Sequence, residues 1–157
     1  MQRPTRWFED MQPGEVREFG DYSMAEAEII EFARQYDPQF FHTDPDAAKS
    51  SIFGGLIASG WHTASVAMRM MADHALSPES SMGSPGIDAL RWLKPVRPGD
   101  RLRVRMTIEE AIASRSKPDR GIVKSLTEVL NQDGEVVLSM RGMTMIRRKP
   151  EAASRMP

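Results

Sequence analysis

The segment from Arg101 to Glu109 constrains the fold of this chain more than any other part of the sequence. Apolar side chains occupy every second position in it, and charged or polar side chains occupy the positions between. The apolar positions are Leu102, Val104, Met106 and Ile108. Because successive side chains of a β-strand point to opposite faces, this alternation predicts a strand with one face in the core and one in water. We therefore expect an antiparallel sheet that gives this strand its neighbours.

Further strands are predicted on both sides of this segment. A short one is expected at residues 15–20, and longer ones at residues 87–96, 122–130 and 135–146. Turn sequences containing Pro98-Gly99 and Asp133-Gly134 lie between the longer strands. The spacing predicts hairpins that follow one another along the chain.

Helices are predicted between the first and second strands. Ser23 and Glu26 have the spacing of a capping box, and Asp37-Pro38 ends the helix that follows. A longer helix is expected from about Ser59 to Ala75, and its side chains are apolar or small nearly all round. A helix without a polar face is buried. The sequence thus predicts an α+β fold in which a curved antiparallel sheet wraps one central buried helix.

Composition narrows the class of protein. The chain has 157 residues, the length of one domain, and its formal net charge is −1 at pH 7. A near-neutral chain has no electrostatic footprint for nucleic acid or for an anionic membrane. No apolar run is long enough for a membrane span, and the first residues contain no apolar signal segment. We expect a cytoplasmic protein with a single domain over residues 1–147 and a flexible tail over residues 148–157.

The lack of cysteine excludes several chemistries. Without a thiol the chain has no disulfide framework, no cysteine nucleophile and no cysteine-ligated zinc or iron–sulfur site. Its three histidines are His42, His62 and His74, and no two of them have the i, i+4 spacing of a helical zinc site. We expect His62 and His74 to be packed or surface residues.

Asp37 and His42 are the candidates for proton transfer. A carboxylate and an imidazole lie five residues apart, across an irregular segment that also contains Phe40 and Phe41. Histidine is the usual general acid or base near neutral pH, and an apolar wall would desolvate the pair and tune both pKa values. The alternative is structural, with Asp37 ending the helix and His42 serving as a hydrogen-bonded core histidine.

A glycine-rich segment, residues 53–60, leads into the long helix. Free N–H groups and partial positive charge at a helix N-terminus make this point suitable for holding an oxyanion. The alternative is that the glycines only permit a tight turn and close packing. The residues alone leave both interpretations open.

Three segments carry a resemblance to a known family. They are Asp37 to His42, the glycine-rich segment 53–60, and Leu-Lys-Pro-Val-Arg-Pro-Gly-Asp at residues 93–100. In this order and spacing they resemble the MaoC-like acyl dehydratases, also called (R)-specific enoyl-CoA hydratases. The resemblance extends from about Phe8 to Ile146. Two departures bear on substrate preference: the commoner motif reads Asp-x-Asn-Pro-x-His, and many members have His where this chain has Ser59.

The resemblance implies a fold, an activity and a set of roles. The family has the hotdog fold and adds water to, or removes it from, an acyl thioester carried by coenzyme A or acyl carrier protein. By this resemblance Asp37 and His42 hold the water and move its protons, while the backbone N–H of Gly60 holds the thioester oxygen. This chemistry needs no metal or redox cofactor. The family pairs its sheets across subunits, which implies a homodimer or a higher even oligomer.

Two other functions stay open. A hotdog thioesterase would share the fold, but its water would attack the carbonyl carbon, and a non-catalytic subunit would only bind acyl thioesters or pair with a catalytic partner. The presence of Asp37, His42 and Gly60 together favours the hydratase. Basic residues that could meet a phosphate of coenzyme A are Arg97, Arg115, Lys117, Arg120 and Arg147.

Overall fold

A five-stranded antiparallel sheet is the largest element of the computed structural model, which describes residues 2–151. The strands are β1 (Val16–Ser23), β2 (Gly86–Trp92), β3 (Arg101–Ala113), β4 (Arg120–Leu130) and β5 (Val136–Arg147). They lie in the order β1-β3-β4-β5-β2, so β1 and β2 are the sheet edges. The consecutive strands β3, β4 and β5 form two long hairpins. The predicted antiparallel sheet is confirmed.

Four α-helices lie between β1 and β2 in the sequence. They are α1 (Glu26–Tyr36), α2 (Phe40–Thr43), α3 (Pro45–Ala48) and α4 (Gly60–His74), and a short 3-10 turn covers Phe8–Asp10. α4 is the central helix and packs against β1 and β3. Within residues 2–151 no helix is long and apolar enough to cross a membrane.

The core forms where α4 meets the sheet. Val66 and Ala67 of α4 pack in one buried cluster with Leu102 and Val104 of β3. Ile108, four residues further along β3, is also buried. The alternation in β3 therefore places its apolar face inward, as the sequence predicts.

α4 is buried on one side only. Its buried side chains are His62, Thr63, Val66, Ala67 and Met70. On the other side Trp61 is 58% exposed and Met68 is 45% exposed. The prediction of a helix buried all round is therefore wrong for the single chain, because the sheet and α1 cover one face and leave the other open.

Local signals set the end of α1 and the start of α3. α1 ends at Tyr36, since Asp37-Pro38 cannot continue the helix. The side chain of Asp44 accepts hydrogen bonds from the backbone N–H groups of Asp46 and Ala47, each at 3.1 Å. Asp44 thus caps α3, and Pro45 is its first residue.

The capping box expected at the start of α1 is wrong. Ser23 is the last residue of β1 and pairs with Arg101 of β3. The residue before α1 is Ala25, which has no side chain to cap the helix. Because Ser23 is paired within the sheet, it is not placed to cap α1.

Two backbone hydrogen bonds join the three motif segments. The N–H of Ile57 donates to the carbonyl of Phe41 at 3.0 Å, and the N–H of Ala58 donates to the carbonyl of Val96 at 2.8 Å. The first bond ties the glycine-rich segment to the segment that contains His42. The second ties it to residues 93–100. Parts of the chain that are far apart in sequence thereby meet at the N-terminus of α4.

The described chain continues past β5 to Glu151. Arg148 Nε donates to the Glu9 carboxylate at 2.8 Å, and Lys149 Nζ lies 3.2 Å from Asp10 Oδ1. These contacts hold the first residues of the predicted tail beside the 3-10 turn. The remainder of that tail, residues 152–157, lies outside the described residues.

Candidate functional site

Asp37 and His42 meet just beyond the end of α1. Asp37 is the residue that follows α1, and His42 lies in the single turn of α2. The Nε2 atom of His42 is 3.3 Å from Oδ2 of Asp37. The side chain of Asp37 is 17% exposed and that of His42 is 6% exposed. The structure thus brings together the two titratable residues that the sequence singles out, in a place that little water reaches.

A backbone carbonyl fixes the ring of His42. Its Nδ1 atom lies 2.7 Å from the carbonyl oxygen of Ile57. A carbonyl only accepts, so Nδ1 carries a proton and donates it to that oxygen. The other nitrogen, Nε2, faces the carboxylate of Asp37 and is the atom that can gain or lose a proton. The site therefore has one defined position for acid–base chemistry.

Two neutral side chains hold the carboxylate of Asp37. Ser59 Oγ donates to Oδ2 at 2.7 Å, and Gln39 Nε2 donates to Oδ1 at 2.7 Å. Burial by itself would raise the pKa of Asp37, but the bonds from Ser59 and Gln39 and the nearby His42 ring outweigh it and hold the pKa below its usual value. Asp37 is therefore an ionised carboxylate at neutral pH.

Ser59 links this carboxylate to α4. It is fully buried and is the N-cap of the helix, where its Oγ accepts from the N–H of Trp61 at 3.3 Å. The same oxygen donates to Asp37. One hydroxyl therefore sets the position of the carboxylate relative to the first turn of the helix.

Gly60 is the first residue of α4. Among the described residues its backbone N–H has no hydrogen-bond acceptor, as expected for the first turn of a helix. The N–H and the positive end of the helix dipole are therefore available to an anion. The structure places Gly60 next to Ser59, and so next to the group that binds Asp37.

Trp92 explains why position 60 is a glycine. Gly60 does not have a positive φ, so the backbone conformation alone does not require glycine. A Cβ on Gly60 would lie 2.4 Å from Cε2 of the Trp92 ring, and the indole Nε1 donates to the Gly60 carbonyl at 2.8 Å. The ring therefore covers Gly60 and excludes a side chain there.

Phe41 supplies the apolar wall beside His42. Its ring lies edge-on to the imidazole, with centroids 4.6 Å apart, and also contacts the rings of Phe40 and Phe53. Phe40 is 48% exposed, and its ring packs on that of Phe41. Of the two phenylalanines predicted to line the pair, one does so directly and the other supports it.

A large apolar cavity runs along the exposed side of α4. Its volume is about 500 Å³, and Trp61, Ala64, Met68 and Met71 of α4 form one wall. Methionines of the sheet, Met106, Met140 and Met143, contribute to the other wall. Asp37, His42 and Gly60 do not line it, and Trp61 is the residue that joins it to the first turn of α4. The cavity therefore begins beside the candidate site and extends away from it.

The sequence profile of the family described as "MaoC like domain" matches residues 9–129, which is most of the chain. The chain belongs to this family. The polar groups at the start of α4 lie in the matched span.

Solved structures similar to this member of the family share its fold. The MaoC-like dehydratase from Rhodospirillum rubrum is 39% identical, with a TM-score of 0.85, over 92% of this chain and 99% of that one. The monoamine oxidase regulatory protein from Archaeoglobus fulgius is 33% identical, with a TM-score of 0.84, over 96% and 99%. The R-hydratase PhaJ1 from Pseudomonas aeruginosa, at 24% identity and a TM-score of 0.74 over 91% and 86%, shows the fold alone. So does a double-hotdog protein from Mycobacterium tuberculosis, at 17% identity and a TM-score of 0.77 over 94% and 46%. The predicted hotdog fold is confirmed.

Two curated relatives are longer proteins that this chain matches only in part. Protein MaoC of Klebsiella aerogenes is 34% identical over 103 residues, which are 65% of this chain and 30% of that protein. Mesaconyl-CoA hydratase of Cereibacter sphaeroides is 44% identical over 63 residues, which are 40% of this chain and 18% of the hydratase. This MaoC-like chain spans less than a third of either relative.

This MaoC-like chain contains a second histidine–carboxylate pair outside the motif segments. His62 of α4 is buried, and its Nε2 lies 3.2 Å from Glu28 Oε1 of α1. The ring stacks on Phe32 with centroids 4.7 Å apart, and the hydroxyl of Tyr22 also donates to Glu28. His62 is a packed histidine, as the sequence predicts. Within residues 2–151 no three His, Asp or Glu side chains are placed to hold a metal ion.

Several groups at the site are not found by sequence reasoning. The carbonyl of Ile57 and the amide of Gln39 bind the pair, and the ring of Trp92 covers Gly60. A carbonyl acceptor has no signature in a sequence, because every residue has one. Ser59 offers a signal, since serine is a preferred N-cap, but its bond to Asp37 depends on the approach of α1.

Proposed function

We propose that this chain is a hydro-lyase that acts on acyl thioesters. It adds water across the C2=C3 bond of an enoyl thioester, as in the conversion of enoyl-CoA to (R)-3-hydroxyacyl-CoA, or catalyses the reverse dehydration. The observation that carries the proposal is the pairing of an ionised Asp37 with His42 Nε2 at 3.3 Å, beside the free N–H of Gly60. A base, a carboxylate and an oxyanion donor within one small site are what this reaction needs.

The proton transfers follow from the fixed ring of His42. A water held between Asp37 and Nε2 gives one proton to Nε2 as its oxygen attacks C3. The C2=C3 π electrons move toward the thioester carbonyl, which becomes an enolate with its negative charge on the carbonyl oxygen. The proton on Nε2 then goes to C2, and the carbonyl re-forms. The sum is one water added, with Asp37 and His42 returned to their starting states.

Gly60 would stabilise the enolate. Its N–H and the N-terminal end of the α4 dipole supply partial positive charge where the oxygen becomes negative. Because Ser59 fixes Asp37 to the same helix turn, the proton-transfer groups and the oxyanion donor keep one mutual geometry. The cavity beside Trp61 suits an acyl chain, since its methionine side chains are flexible and apolar.

We also propose that the chain works as a homodimer or a higher even oligomer, with β2 as the joining edge. Ile87 and Trp92 of β2 and Leu93 just after it are between 44% and 54% exposed. An open edge strand with exposed apolar side chains pairs readily with a second copy. Light scattering should give a dimer or larger even assembly, and a fully active monomer at working concentration would overturn this part of the proposal.

One assay distinguishes hydration of the substrate from cleavage of its thioester bond. Crotonyl-CoA and a medium-chain trans-2-enoyl-CoA are incubated with the purified full chain. Loss of the conjugated enoyl absorbance is followed alongside thiol release. Because the chain has no cysteine, a thiol reagent reports only free coenzyme A. We expect loss of the enoyl absorbance without thiol release.

The other outcomes identify the alternatives. Thiol release from a saturated acyl-CoA would make the chain a thioesterase. No reaction, together with saturable binding of the acyl-CoA, would make it a non-catalytic binding subunit. His62→Gln is the matched control for His42→Ala, since both remove a buried imidazole that lies near a carboxylate.

A further inference from the structure

The basic side chains of this protein differ in whether a carboxylate neutralises them. Some of those near the site are paired, as Lys94 is with Glu135 and Arg101 is with Asp21. Arg97 has no carboxylate partner among the described residues, although it lies within the third motif segment. An exposed guanidinium without a counter-ion, beside a candidate active site, points to an anionic ligand.

The guanidinium of Arg97 is held in place by the glycine-rich segment. Its Nη2 donates to the carbonyl of Phe53 at 2.6 Å, and its Nη1 lies beside Gly55. The nearby Asp100 does not neutralise it, because the carboxylate of Asp100 accepts from the backbone N–H of Arg97 and from Gln132. One N–H group of the guanidinium is used in this bond, and the others can donate to a ligand.

Arg97 also lies at a suitable distance from the reacting end of the site. Its neighbour Val96 accepts the hydrogen bond from Ala58, and Ala58 is two residues before Gly60. Along these links the guanidinium lies at most about 20 Å from the Gly60 amide, taking roughly 3.6 Å per extended residue. The pantetheine arm of an acyl thioester has about the length of four extended residues, roughly 15 Å. A path along linked residues overstates the direct separation, so the two lengths are comparable, and the phosphate of a thioester held at Gly60 falls in the region of Arg97.

The other basic candidates do not share this position. Arg120 is paired with Asp119. Arg115 and Lys117 lie in the turn between β3 and β4, about 40 Å along β3 from Arg101 at roughly 3.4 Å per residue. Arg147 ends β5 and pairs in the sheet with Arg120, at that same end. Only Arg97 among the five is joined to the N-terminal side of α4.

We propose that Arg97 binds the phosphate at the end of the pantetheine arm of the substrate, the group that coenzyme A and acyl carrier protein share. The inference rests on the proposed acyl-thioester function and names the residue that recognises the carrier. Arg97 acts in binding and takes no part in proton transfer. The KM for a phosphorylated substrate should therefore depend on Arg97, while kcat should not.

The test compares substrates that differ only in phosphate. Crotonyl thioesters of coenzyme A, of phosphopantetheine and of unphosphorylated pantetheine are assayed with wild type, Arg97→Gln and Arg115→Gln. We expect Arg97→Gln to raise the KM about tenfold for the two phosphorylated substrates and to leave the KM for the pantetheine thioester unchanged. Arg97→Lys should restore part of the loss, and Arg115→Gln should match wild type. The same assay with crotonyl-acyl carrier protein then shows which carrier gives the lower KM.

Each contrary result has a distinct meaning. An equal rise in KM with the pantetheine thioester would overturn the proposal, because Arg97 would then only hold the Phe53 segment. A rise confined to the coenzyme A substrate would also overturn it, because the ligand would be a phosphate absent from phosphopantetheine. Calorimetric titration with phosphopantetheine and with pantetheine gives a readout that does not require turnover. Equal affinity of the wild type for phosphopantetheine and pantetheine would show that Arg97 does not bind the phosphate. If the protein bound the phosphate but did not hydrate the substrate, only the proposed function would be refuted.

Discussion

Two histidine–carboxylate pairs in this protein have nearly the same separation and different surroundings. His42 lies 3.3 Å from Asp37, and His62 lies 3.2 Å from Glu28. Both rings are almost fully buried. Distance and burial therefore do not distinguish a catalytic pair from a structural one, and the partner of the second ring nitrogen must be considered.

The second nitrogen differs between the two rings. Nδ1 of His42 donates to the carbonyl of Ile57, which leaves Nε2 facing the carboxylate of Asp37. Nδ1 of His62 is buried without a partner, so the proton of the neutral ring resides on Nε2 and is donated to Glu28. In the neutral rings, Nε2 of His42 therefore carries no proton, whereas Nε2 of His62 carries one.

The largest effect is expected from the first pair. His42→Ala and Asp37→Asn should each lower the hydration rate by about 10²–10⁴-fold, because each removes a proton-transfer group. The rate is measured per folded molecule, with circular dichroism to confirm folding. Near-normal turnover of folded His42→Ala or Asp37→Asn would show that the first pair, like the second, is structural.

Gly60→Val tests whether the first pair works with the start of α4. We expect kcat to fall by about 10²–10³-fold, and to fall further than the loss of folded protein explains. The Cβ also meets the Trp92 ring at 2.4 Å, so the melting temperature should drop as well. Combining the change with Trp92→Ala gives the Cβ room. Because valine keeps the backbone N–H, turnover restored in that background would show that the loss came from the clash with the Trp92 ring and not from obstruction of the oxyanion site.

Ser59→Ala is expected to change the pH dependence more than the rate at neutral pH. Ser59 helps to hold the pKa of Asp37 below its usual value, so its removal raises that pKa. If the ionised carboxylate is the active form, activity is then lost at a higher pH on the acidic side. The lost N-cap should also cost about 1 kcal/mol of stability. Ser59→Thr, which keeps the hydroxyl, should restore the wild-type pH profile, and an unmoved acidic limb in Ser59→Ala would contradict the assignment.

The smallest effect on catalysis is expected from the second pair. His62→Gln keeps an amide donor for Glu28 but loses the ring stacking on Phe32, so it should cost about 1 kcal/mol of stability. Turnover per folded molecule should stay at the wild-type value, while thermal denaturation shows a lower melting temperature. A large loss of turnover at full folding would place His62 in the catalytic machinery.

The fold was accessible from local patterns where those patterns have a single structural meaning. The alternation through β3 and the Asp37-Pro38 end of α1 both act over a few residues, and the structure agrees with both. Ser23 shows where this fails, since a side chain suited to a cap was already part of a strand. The exposed side of α4 also differs from expectation, because an apolar pattern does not say which molecule covers it.

The candidate site divides along the same line. Asp37 and His42 could be singled out as candidates from residue type and spacing, and Gly60 from the resemblance of its glycine-rich segment to the family motif. The sequence by itself determined which chemical groups this protein has and which elements hold them. Only the tertiary structure decided that the Ile57 carbonyl orients His42, that Ser59 binds Asp37 and that Trp92 covers Gly60. These are contacts between segments that approach only when the sheet closes around α4, and neither a backbone carbonyl nor an open face of a helix has a sequence signature of its own.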